Sequence, residues 1–339
     1  MQDEVASEKD YPHFQLAYHL ELLKELQSFV GLYGQWTSEE LFNQFSRKIL
    51  DGMPFFHQVI LNASGVRAKE NPYWQKMADA VLTSFKEMHT EDKMKLLTLQ
   101  DDSLDGNLIS QLGYLNEIRI LKILIEGLDD ADLLEIFMPA GIMTQVTLPG
   151  AQEFCLTMLH ALRFDECKLS LIRHIGPGAH LPAIHNVLVF HTPENKVDLP
   201  SLAILFETLK TRSSRNNLLT ERVGEHDSPL LFAIDHNCNM GLRTMLAFVD
   251  CAAIKPELDK ALLHARKFRC ARYDEVIKTL QDHGASLTPE QEAELDRDAV
   301  VLQKSSQSTR AFERGVVAGN EPDFEQAALK LPSKIKSKL

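Results

Sequence analysis

Cysteine is scarce in this 339-residue chain, and the five present stand singly at 155, 167, 238, 251 and 270. An odd number at such spacings gives neither a disulfide framework nor a Cys-x-x-Cys ligand pair, so they read as reduced thiols, most of them core fillers. Basic charge is also short. Lys and Arg total 36 against 48 Asp and Glu, a formal net charge of -12. Nucleic acid and anionic lipid both require a basic face, and this balance works against either. Long apolar runs are missing too: Arg119 and Lys122 interrupt even the most apolar segment, well short of the roughly 18 residues of a membrane span. There is no Gly-rich phosphate loop, no His-Glu-x-x-His pair and no nucleophile elbow.

What remains is an ordinary soluble composition. A 44% hydrophobic content supplies a core, and 25% charged residues with 7% aromatics do not suggest disorder. The first ten residues are acidic and lack an apolar stretch, so they do not read as a secretory signal. A soluble cytoplasmic protein is expected.

Apolar residues at helical spacing run through most of the sequence. Leu16, Leu20, Leu23 and Val30 mark a helix over 14–30. Thr37 and Glu40 form a Thr-x-x-Glu capping box opening a second through Leu41, Phe42, Phe45 and Ile49. These make an N-terminal helical cap over 1–50. A first helix pair starts at Asp51-Gly52-Met53-Pro54 and carries Phe55, Phe56, Val59 and Ile60, then Trp74, Met77, Val81 and Phe85.

The order returns at Asp105-Gly106-Asn107, before a helix over 117–127 that is apolar on most of its circumference and so requires neighbours on both sides. Thr157-Met158-Leu159-His160 opens a third pair, and Ile184, Val187 and Leu188 with Leu199, Leu202, Leu205 and Leu209 form a fourth. The polar stretch Thr211 to Asn217 reads as an exposed loop open to proteolysis. A fifth and a sixth pair occupy 227–287. Thr288-Pro289-Glu290-Gln291 then begins a C-terminal helical cap over 288–330, and 331–339 is a basic, flexible tail.

Ala233 and Ala265 align the fifth pair with the sixth at a period of 32 residues, the scale of helical-repeat arrays. At Thr157-Met158-Leu159-His160, at Ser228-Pro229-Leu230 with Ala233, and at Asp282-His283-Gly284-Ala285 the chain resembles the ankyrin-repeat family, whose unit carries a Thr-Pro-Leu-His-x-Ala signature. The resemblance covers 51–287. It departs where Met53 to Asn107 and Asn107 to Thr157 span 54 and 50 residues, and where Lys260 replaces the threonine.

The resemblance implies an all-α, helix-pair repeat solenoid with helical caps, working as a scaffold for a protein partner. It also implies a likeness to ankyrin-type effectors that intracellular bacteria deliver into host cytoplasm. Turn tips and outer residues of the first helix would form the binding face: Asp105, Tyr114, Phe164, Asp165, Glu225, His226, Asp235, His236 and Lys267.

Other features carry less. Residues 101–150 hold nine acidic against two basic side chains, a solvated face or a guide for a basic partner. Asp129, Asp130 and Asp132 lack the glycine and glutamate of a calcium loop. Lys210, Arg212, Arg215 and Arg222 would suit an acidic peptide or a phosphate but lack interleaved aromatics, so nucleic acid is not expected. His174, His180, His185 and His191 fit no zinc spacing, so neither metal nor cofactor is assigned. Cys155 with His160, or Cys238 with His236, has the residue types of a thiolate and base, but proximity in sequence supplies neither hydrogen-bond geometry nor an orienting third group. The alternative to a scaffold is an enzyme whose repeats present a protein substrate to a nonconsensus catalytic site, in the N-terminal helices or in a loop. Ser337-Lys338-Leu339 matches a peroxisomal address only as a short match on a lysine-rich tail.

Overall fold

The computed structural model describes residues 36–48, 52–64, 72–99, 107–146, 150–176, 179–189, 199–267 and 273–297. The helix expected over 14–30, the basic tail and most of the C-terminal cap lie outside them. Among the described residues every regular element is helical, no strand forms, and no helix is long and apolar enough to cross a membrane.

Helix α1, Ser38–Phe45, opens on the expected capping box: Thr37 Oγ1 accepts from the Glu40 N–H at 3.3 Å and the Glu40 carboxylate accepts from the Thr37 N–H at 2.8 Å. The first pair is α2, Phe55–Asn62, and α3, Pro72–Glu87. A helix the periodicity did not suggest follows, α4, Thr90–Thr98.

The second pair, α5 (Leu108–Tyr114) and α6 (Ile118–Leu124), likewise leads into a third helix, α7, Asp130–Ala140. A single 3-10 turn, Ile142–Gln145, precedes α8, Ala151–Ala161, and α9, Asp165–Arg173. Then come α10 (Ala183–Val189), α11 (Leu199–Glu207) and α12 (Arg212–Thr220). After them come α13 (Pro229–Asp235), α14 (Asn239–Leu246), α15 (Lys255–Lys267) and α16 (Asp274–Asp282). A last helix, 289–297, begins at Thr288, whose N–H donates to Gln291 Oε1 at 2.9 Å.

Like helices pack on like. α2 meets α5 and α3 meets α6; further along, α10 meets α13, α13 meets α15, α11 meets α14 and α14 meets α16. The additional helices form a row of their own, α1 to α4 to α7 to α9 to α12. This row explains the irregular intervals of the sequence. Where a third helix is inserted the spacing lengthens to 54 residues from Met53 to Asn107, and where a short turn over 250–254 replaces it the spacing falls to 32.

Burial follows these rows. The apolar core extends from Leu41 to Ala285, and α6, held between α3 and α8, buries Ile120, Leu121 and Leu124 while Arg119 and Lys122 stay exposed. Near the 3-10 turn the backbone passes itself so closely that a Cβ on Gly176 would lie 2.4 Å from Gly141 Cα, a position only glycine fills.

Two expectations are corrected. Thr157 and His160 lie inside α8, a second helix of its pair, where Thr157 Oγ1 donates to the Glu153 carbonyl at 2.9 Å and His160 is exposed. They open nothing, because the chain enters α8 through Gly150 at φ 92°. Thr211 to Asn217 is not a loop but the start of α12: Thr211 Oγ1 caps it by accepting from the Ser214 N–H at 3.1 Å, and Leu218 and Leu219 anchor it in the core.

Leu246 is 2% exposed on α14, between α11 and α16. Leu246→Ala should cost about 2–5 kcal/mol, measured by urea denaturation; a variant as stable as the parent would displace that helix from the core.

Candidate functional site

Two turns between paired helices share one backbone. After α5, Asn116 adopts φ 53°, and after α13, Asn237 adopts φ 51°. Asparagine tolerates this left-handed region because its short amide can hydrogen-bond locally. The bonds around the two turns correspond one for one. Glu117 N–H donates to the Leu112 carbonyl and Ile118 N–H to that of Asn116; Cys238 N–H donates to Ala233 and Asn239 N–H to Asn237. Glu117 sits at φ -87°, ψ 69° and Cys238 at φ -86°, ψ 68°. Even the caps agree, since Asn107 Oδ1 accepts from Ser110 N–H as Ser228 Oγ accepts from Leu231 N–H.

Tyr114 and Asp235 fall at the same place on these frames, the last residue of the first helix. Tyr114 is 60% exposed and its neighbour Leu115, which sequence reading passed over, 43%. Asp235 is half-buried, its Oδ1 2.6 Å from His264 Nε2, and its carbonyl accepts from the Tyr273 hydroxyl at 3.4 Å. His236 is exposed and stacks on Phe232 with ring centroids 4.1 Å apart. His226 lies in the turn that Val223 and His226 close by a pair of backbone hydrogen bonds, its ring 5.7 Å from that of His185; exposed Glu225 stands beside it. Glu225, His226, Asp235 and His236 thus gather around α13. Lys267 ends α15, the helix that carries His264. Asp105 lies outside the described residues.

Phe164 and Asp165 belong elsewhere, at the start of α9. Phe164 is 61% exposed, but Asp165 is buried at 6% and is no surface group. Its carboxylate accepts from the N–H groups of Lys210 and Thr211 at 3.0 and 2.9 Å, holding the entry to α12. The same device precedes it in the row. Asp130, first in α7, accepts from Arg163 and Phe164 N–H at the entry to α9, and Ser38, first in α1, accepts from His89 N–H at the entry to α4. Burial opposes ionisation of Asp165, but the backbone N–H groups of Lys210 and Thr211, with the Ser214 and Thr211 hydroxyls, outweigh it and hold the carboxyl below its ordinary range. Asp129 caps α7 by accepting from Ala131 and Asp132 N–H, so this acidic group is used within the fold.

The basic group is used in part within the fold, through Lys210 and Arg215, while Arg212, 4.0 Å from Asp250, and Arg222 stay exposed. Lys210 Nζ donates to the Arg163 carbonyl, Arg215 to that of Leu209, and Arg222 lies 3.9 Å from Asp227. Of the cysteines considered as nucleophiles, Cys155 is fully buried with its Sγ 3.6 Å from the Ile142 carbonyl, and burial pushes its thiol up to about 12. Burial raises Cys238 as well. A thiol so placed does not supply a thiolate near neutrality. No family model, no curated protein and no solved structure matches the chain.

Asp165→Ala should cost about 1–3 kcal/mol by leaving two N–H groups without their acceptor, read as a lowered urea midpoint. The sign in acid follows from the depressed carboxyl. The contribution is complete above about pH 4, the unfolded value, and fades as pH falls through the folded one, so parent and variant should converge there.

Proposed function

We propose that the chain is a protein-binding scaffold built from degenerate ankyrin-like units, with the turns after α5 and α13 in its binding face. The observation carrying this is that one backbone frame presents Tyr114 and Leu115 at one site and Asp235 and His236 at another. A frame held constant while its outward residues change chemistry suits recognition better than packing. Aromatic residues exposed on such a frame are the side chains that dominate protein interfaces.

The ankyrin-like reading gains support from helix entry. Ser228 caps α13 and Pro229 takes its first position, so the histidine of the signature corresponds to the third helical position. His57 and His185 hold that position in α2 and α10, both buried. Their Nε2 atoms lie 3.1 Å from the Leu96 carbonyl and 2.8 Å from that of Asp227, tying each first helix to a later segment. Asn107 does the same for α5 by donating to the Ile136 carbonyl at 3.1 Å.

The test is affinity for a partner isolated with the intact chain. Tyr114→Ala should weaken binding about tenfold or more with an unchanged melting temperature. Undiminished affinity would remove the α5–α6 turn from the interface.

A further inference from the structure

We propose that the contact between α10 and α13 is an acid-sensitive joint, kept closed by neutral His185 and opened when that imidazole gains a second proton. His185 is fully buried, and α10 packs directly on α13. A carbonyl only accepts, so the 2.8 Å contact with Asp227 fixes the ring proton on Nε2. Nδ1 is then the bare nitrogen. It is buried without a hydrogen-bond partner, while the ring lies edge-on to Phe232 with centroids 4.6 Å apart. A proton placed there would create a buried cation whose new N–H has no acceptor, the costliest state for a polar group.

The charged surroundings do not offset this cost. The groups acting on the imidazole come from the 223–228 turn and the end of α13: His226 and His236 disfavour its charge, and Asp227 favours it. No group of α9, α11 or the 142–145 turn, the other elements packed on α10, is among those described as acting on it. The Asp227 carboxylate is exposed and faces Arg222 at 3.9 Å, and the His226 ring lies 5.7 Å from that of His185 between centroids.

Burial, the largest influence, lowers the proton affinity of His185 in the closed state. The stability this ring gives the joint is therefore complete above the unfolded value near pH 6.5 and declines as pH falls below it. One proton raises the opening equilibrium by up to about tenfold per pH unit. Because Glu225, His226 and His236 border the joint, acid would also alter the face assigned above; that consequence alone rests on the scaffold reading.

Hydrogen exchange of the intact chain, corrected for intrinsic rates, tests the joint without any partner. Between pH 7.5 and 5.5, opening over 183–189 and 229–235 should rise about tenfold, while 108–124, where Asn107 replaces the titrating ring, should hold its protection. His185→Gln keeps a donor without the charge and should flatten the response, and His226→Gln should leave most of it. Unchanged protection at 183–189, equal loosening at 108–124, or a response that survives His185→Gln would each overturn the proposal. Should His185→Gln open at both pH values, the comparison of segments in the parent chain decides alone.

Discussion

A side chain on one helix reaching the backbone at the entry of another is the interaction on which this architecture depends. Short helices of seven to nine residues are marginal by themselves. Here Asp130 and Asp165 each occupy the N–H groups of a later helix entry, and His57, Asn107 and His185 each reach a carbonyl further along the chain. Apolar seams supply the driving force for stacking. The polar links decide which turn meets which, because a buried N–H or carbonyl left over is expensive.

This division accounts for what the sequence disclosed. Apolar seams follow a period, so α3, α6, α14 and α16 were legible, as were the capping box at Thr37 and Glu40 and the Ser228-Pro229 entry. The third row was not. α4 carries no apolar period that announces it, and α7 begins with Asp-Ala-Asp, which reads as an acidic turn, and uses Asp129 with Asp132 where the capping pattern looks for Glu or Gln. α12 was hidden by Ser and Arg at its start, with its burial confined to Ser214, Leu218 and Leu219.

The candidate face was legible only in part. Tyr114 and His236 are exposed where the mapping from the resemblance placed them, whereas burial of Asp165 depends on N–H groups 45 and 46 residues away that no local pattern announces. His160 shows the opposite failure. Its spacing matched a signature, but spacing does not say whether a helix is the first or the second of its pair, and α8 is the second. The buried histidines at the third position of α2 and α10, His57 and His185, stood out only once the first residue of each helix was known.

The turns at Asn116 and Asn237 carry one more implication. Their shape is set by backbone hydrogen bonds and one left-handed asparagine each, and Tyr114 and Leu115 extend outward without contributing to the core. Changes at those two positions would leave the hydrophobic seams intact. The outward chemistry of these turns is therefore free to change without cost to the fold that supports them, one turn at a time.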